Sequence, residues 1–127
     1  KLLTRVRDVM LTEQLPIVPA TATMREAVVL LAERRGIVLV VDADQQLAGL
    51  LTTGDLTRLM EHEHDVFPVR VDTVMVREPK TSHPDELGSA VVFRMEQHGI
   101  MAMPVLDDEG TIVGVVHLHD LMRAGAA

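Results

Sequence analysis

The sequence predicts an α/β (α+β) chain built from two β-α-β-β-α repeats packed sheet to sheet about a pseudo-twofold axis. Three observations lead there. The chain repeats itself: "VRDVM" at 6–10 returns as "VDTVM" at 71–75, "ERRGI" as "EQHGI", and "GLLTTGDL" at 49–56 as "GVVHLHDL" at 114–121. Such self-similarity marks a duplicated supersecondary unit, and two copies are too few for a solenoid. Each copy also carries a helical apolar stripe and then two short apolar runs around a polar turn. Finally, one unit of about 55 residues buries too little surface to be comfortably stable alone. Pairing two half-covered hairpins sheet to sheet removes that deficit and leaves two related clefts.

Within the first repeat, an extended lead-in, "LPIVPATAT", precedes a helix expected over 23–35. Thr23 with Glu26 three residues on has the form of a capping box, and Gly36 is a fitting stop. Met24, Ala27, Val28 and Leu31 share one face. The second repeat matches this with a helix expected over 85–98, a stripe of Leu87, Ala90, Val91 and Met95, and Gly99 as its stop. Both stripes read as core packing. Apolar runs at 38–41 and 47–51 flank "DADQQ", and runs at 102–106 and 112–116 flank "DDEG", so each pair predicts a hairpin. A short second helix then opens at an aspartate, over 55–60 and 120–123. "EHEHDVFPVR" at 61–70 is polar and contains Pro68, which makes it the connector between repeats at 6–60 and 71–125.

Composition narrows the function. The chain has 127 residues, 47% of them hydrophobic but only 2% aromatic, so its core must be aliphatic. The absence of cysteine excludes disulfides, thiolate metal sites and cysteine nucleophiles, and suits a cytoplasmic protein. A net charge of −7 argues against general binding to nucleic acid or an anionic membrane. Apolar runs such as 37–41 are far too short to span a bilayer. The amino end, "KLLTRVRDVM", breaks into charge too early for a signal peptide. Its lack of an initiating Met predicts a piece excised from a longer chain.

"V-x-D-V-M", the helix, "P-V-h-D-x-x-G" and the closing "G-h-h-x-x-x-D-L" together resemble cystathionine-β-synthase-type (CBS) repeats, whose pairs form regulatory Bateman modules. The resemblance runs from about Val6 to Gly125. "LLTRVRDVM", "TTGDLTR", "VREPKTSHPDEL" and "HLHDLMRAG" are similar to one narrower family. It is the D-arabinose 5-phosphate isomerases that supply 3-deoxy-D-manno-octulosonate (Kdo) synthesis, in which a sugar-isomerase (SIS) domain precedes a CBS pair. The resemblance implies that this chain alone is no enzyme and holds no catalytic residue. The parent protein would be the isomerase, and the SIS domain would be this module's partner in the same chain. It also implies a homo-oligomer assembled through CBS pairs.

An aspartate at a helix start can simply cap it. In the CBS family the Asp of the closing phrase commonly accepts from the two hydroxyls of a ribose, and the Thr three residues earlier contacts phosphate or ribose. Thr52 and Asp55 match both positions; in the second repeat Asp120 matches, and His117 stands in place of the Thr. A protonated imidazole donates two hydrogen bonds and carries charge, so His117 and His119 point to a more anionic ligand. The resemblance sets the lead-in residues Lys80, Thr81, Ser82 and His83 beside the same cleft, with Met101, Ala102, Met103 and Pro104. Val18, Pro19, Thr52, Thr53 and Asp55 would make a secondary cleft. The expected ligand is a nucleotide or nucleotide sugar, above all the pathway's activated end product CMP-Kdo as a feedback signal. An adenine-nucleotide (AMP/ATP) sensor and a purely structural dimerisation module are the alternatives.

No cofactor is expected. "EHEH" and the His117/His119 pair are the metal candidates, but three or four converging ligands are needed and the former sits in a connector, so no metal site is expected. There is no nucleophile elbow and no glycine-rich phosphate loop. Leu59, Met60, Leu121 and Met122 on the short helices could serve an interface or the core.

Overall fold

The computed structural model describes residues 3–126. Two compact units emerge, cut differently from the sequence repeats. One is continuous, Pro16–Pro79. The other is split, and its described part joins 3–15 to 80–126.

In the continuous unit the order is β1 (Ile17–Pro19), α1 (Met24–Glu33), β2 (Ile37–Val41), β3 (Leu47–Thr52), α2 (Thr53–Met60) and β4 (Val76–Arg77). They form one sheet, β1-β2-β3-β4, parallel at β1–β2 and antiparallel elsewhere. The β2–β3 hairpin is the expected one. Its turn is held by Asp42, whose carboxylate accepts from the N–H groups of Asp44 and Gln46. Met24, Ala27 and Leu31 of α1 are buried against Val38, Val40 and Leu51, with Val28 partly buried beside them, as the stripe predicts.

The capping box at Thr23 does not form, and α1 is shorter than expected. Its first donors go elsewhere: Met24 N–H donates to Val69 O at 2.7 Å and Arg25 N–H to Phe67 O at 3.1 Å. The connector, expected only to link the repeats, therefore satisfies the helix end that side chains would otherwise serve. The Arg25 guanidinium also lies over the Phe67 ring, 4.7 Å from its centre.

The split unit contains α3 (Gly88–His98), β5 (Ala102–Leu106), β6 (Ile112–His117) and α4 (Leu118–Arg123). The antiparallel β5–β6 hairpin is extended by single bridges, Ser82 to Val105 in parallel and Leu11 to Val115 in antiparallel. Those bridges repeat the places of β1 and β4 in the other sheet. Asp107 holds this turn as Asp42 holds the first, accepting from Glu109 and Thr111. Val91, Val92 and Met95 of α3 pack on Met103, Val105, Val116 and Leu121.

α3 starts at Gly88, three residues later than the sequence suggests, and Leu87 and Ala90 leave the stripe to Gly88 and Val92. The amino-terminal segment causes the shift. Gly88 N–H donates to Thr4 O at 2.7 Å, Val6 N–H to Glu86 O at 3.0 Å and Arg7 N–H to Pro84 O at 2.9 Å, pinning a turn at 84–86 ahead of the helix. Val6 itself is fully buried in this core. "VRDVM" of the first repeat thus completes the second repeat's hairpin, and "VDTVM" completes the first's, with Val71 N–H donating to Ala22 O.

Both short helices open two residues earlier than expected, making Thr52 and His117 their caps and Asp55 and Asp120 their third residues. Among the described residues, no helix is long and apolar enough to cross a membrane. Leu121 is core and Leu59 packs partly on the other core, whereas Met60 and Met122 are exposed.

Candidate functional site

In the continuous unit the residues expected along the secondary cleft lie on β1 and across the β3–α2 junction. The Asp55 carboxylate accepts from Thr52 N–H at 2.8 Å and Thr52 Oγ1 at 3.1 Å, and pairs with Arg58 at 2.6 Å. This is the carboxylate half of a capping box, and it accounts for the burial of Asp55. Val18, expected along this cleft, is a core residue because β1 pairs through Val18 with Val40 and turns its side chain inward. Pro19 and Thr53 are exposed.

The split unit gathers the other set. Leu118 N–H donates to Met101 O at 2.9 Å and Ala102 lies opposite His117, so the start of β5 adjoins the β6–α4 junction. Ser82 N–H donates to Pro104 O at 3.0 Å, and Leu106 N–H to Ser82 O at 2.9 Å. The parallel course of this lead-in brings Lys80 and Thr81 alongside Met103 and Pro104. Lys80, Met101 and His119 are exposed, Asp120 and Ala102 are half-buried, and His117 is buried. Met103 is a core residue packed beneath the strand, so only its backbone lies along the lead-in.

The His83 ring is hydrogen-bonded within its own unit. Its Nδ1 accepts from Asp85 N–H at 3.0 Å, which leaves Nε2 as the donor to Asp108 at 2.7 Å. With Asp85, Glu86 and Asp108 around it, this ring is poorly placed to attract an anion. Beneath it, Arg94 pairs with Glu86 and also donates to Thr81 O at 3.0 Å, while His83 N–H donates to the same Glu86 at 2.9 Å. The sequence reading missed Arg94 and Glu86, because charged residues on or before a helix read as a solvated face.

Burial pushes the Glu86 carboxyl up, but the Arg94 hydrogen bond, the His83 N–H and the nearby positive charge outweigh it. The net result holds Glu86 below its ordinary value of 4.5. A depressed carboxyl stabilises the fold above its unfolded value, and that contribution disappears as pH falls through the lowered one. Glu86→Gln should therefore lower the unfolding temperature at neutral pH and flatten its decline below 4.5. Thermal melts from neutral pH to about 3 check this.

Among the described residues, no three histidine or carboxylate side chains converge to hold a metal ion, and His62 and His64 of "EHEH" are exposed.

The CBS domain model matches residues 6–62 and again 71–127. The chain is 35% identical over 127 residues to arabinose 5-phosphate isomerase KdsD of Pseudomonas aeruginosa, covering 98% of this chain and 39% of that protein. It thus spans well under half the length of that relative. The CBS domain pair of protein MJ0100, solved with 5′-methylthioadenosine and S-adenosyl-L-methionine, superposes with a TM-score of 0.85 at 24% identity, over 97% of this chain and 96% of that one. CBSX2, solved with AMP, superposes with a TM-score of 0.79 at 20% identity, over 95% of each chain. Two matched repeats in register, on a fold shared with solved CBS pairs, show that the chain belongs to the CBS domain family as a tandem pair.

Proposed function

We propose that the chain is the ligand-sensing regulatory module of a D-arabinose 5-phosphate isomerase, and that it holds its ligand in the split unit. The observation that carries this reading is the meeting of the lead-in at 80–83, the start of β5 and the β6–α4 junction in that unit. The same junction in the continuous unit carries Thr52 where this one carries His117. Asp120 accepts from the ribose hydroxyls, while Lys80, His117 and His119 face the negative charge. His83, ringed by carboxylates, keeps a structural role.

The similarity to KdsD supports the isomerase as parent protein and, through it, CMP-Kdo as the feedback ligand in the cytoplasm. CMP-Kdo offers a ribose, a phosphate and a carboxylate, which suits this donor set. Adenine nucleotides form the second reading, favoured by the ligands of MJ0100 and CBSX2.

Calorimetric titration with CMP-Kdo, AMP and ATP separates them. CMP-Kdo is expected to bind, and Asp120→Ala to weaken it about 10- to 100-fold, the worth of hydrogen bonds to a charged acceptor. Asp55→Ala should leave affinity unchanged. Tighter binding of AMP or ATP would transfer the role to the adenine reading. Silence with all three would leave only an assembly role and sink the proposal.

A further inference from the structure

Three groups surround the lead-in of the split unit without appearing in any ligand role: Arg94, Glu86 and the backbone on either side of Ser82. Arg94 donates to Thr81 O at 3.0 Å, and Glu86 accepts from His83 N–H at 2.9 Å. The two side chains pair with each other, Arg94 through both terminal nitrogens, one of which also lies 3.9 Å from Met103 Sδ. One ion pair therefore grips the carbonyl before Ser82 and the amide after it. Ser82 is buried between them, its N–H and C=O both spent on β5.

Among the described residues, the matching positions of the continuous unit carry no such ion pair. Val71 N–H donates to Ala22 O there as Val6 N–H donates to Glu86 O here, so Ala22 holds the place of Glu86. Counting along the helix, Leu30 holds the place of Arg94 and Pro19, which has no N–H, that of His83. Both ends of the brace are apolar in that unit, and the amide it would grip is missing.

We propose that Arg94 and Glu86 are positioning residues that pre-shape the lead-in for ligand, and that this pair, absent from the continuous unit, makes the two clefts unequal. The inference rests on the ligand site proposed above. A preformed segment spares the ordering that binding would otherwise require. Only arginine suits the brace, because its planar fork serves Glu86 and Thr81 together, whereas lysine offers one compact charge.

The test compares Arg94→Lys and Arg94→Leu with the wild-type chain. Arg94→Lys should keep the unfolding temperature close to wild type, since a charge still faces Glu86. It should nevertheless speed amide exchange at Ser82, His83 and Leu106 relative to the rest of the split unit. Affinity for the tightest ligand among CMP-Kdo, AMP and ATP should fall on the order of tenfold. Arg94→Leu, which copies the continuous unit, should show the larger effect. Unchanged exchange at those three amides, or equal acceleration across the whole unit, would overturn the brace. A wild-type chain that binds no nucleotide would refute the ligand site, while the exchange data would still decide whether the brace exists.

Discussion

Deleting the first fifteen residues is expected to unfold the split unit and leave the continuous unit folded. The segment supplies Val6, fully buried in the split unit's core, with Val9 and Met10 packed beside it. Burying one such side chain is worth about 1.5–3 kcal/mol. The segment also accepts from Gly88 at the start of α3, donates to Glu86 and Pro84, and exchanges two hydrogen bonds with Val115, at 2.8 and 3.0 Å. Each is worth about 0.5–1.5 kcal/mol net, and more where a buried donor is left without a partner. A unit of this size has a total stability of roughly 3–9 kcal/mol, so the loss matches or exceeds what is available. The continuous unit draws its equivalent segment, 71–77, from its own stretch of chain and loses none of its core. Hydrogen exchange should show collapse of protection at Val115 and Ile100 and retained protection at Leu39 and Val71. Loss in both units, or in neither, contradicts the assignment.

The next largest effect is expected from Gly49→Ala and Gly114→Ala, the glycines that open the two repeated phrases. A Cβ on Gly114 would stand 2.7 Å from Leu11 O and 3.0 Å from Met10 Sδ; one on Gly49 would stand 2.7 Å from Val76 O and 2.6 Å from Met75 Sδ. The methionine ends can swing aside. The carbonyls cannot move without surrendering strand pairing, because Leu11 is bridged to Val115 and Val76 is paired with Leu50. Overpacking against fixed backbone costs roughly 3 kcal/mol, the upper end of the usual range. Thermal melts combined with exchange should show Gly114→Ala weakening the split unit and Gly49→Ala the continuous one. Full stability in either variant would mean that the neighbouring segment does not run so close.

These glycines show how far the sequence can be read. Their recurrence is visible in "GLLTTGDL" and "GVVHLHDL", as are the hairpins and helical stripes, because periodicity and turn residues act over a few positions. What each glycine makes room for is not visible. "VRDVM" and "VDTVM" are near copies, so either would fit either hairpin by pattern alone; only the path of the chain decides, and it sends each to the other copy's sheet. The same non-local contacts move the start of α3 to Gly88 and leave Thr23 without its capping box. At the candidate site, Asp120 and His117 stand out because a repeated phrase changes chemistry between copies. Arg94 does not, since its partners Thr81 and Glu86 are reached only through the fold. Family position assigns Val18 and Met103 to clefts, but the strand's inward face gives them to the cores.

The split unit contains both residue 3 and residue 126, with the whole continuous unit spliced into the chain between its two parts. Tension applied between these ends enters and leaves through the split unit alone. The bonds that bear it first are those of Thr4, Val6 and Leu11 to Gly88, Glu86 and Val115. Until they part, the continuous unit carries no load, and its strands are mechanically shielded by the connectivity of the chain.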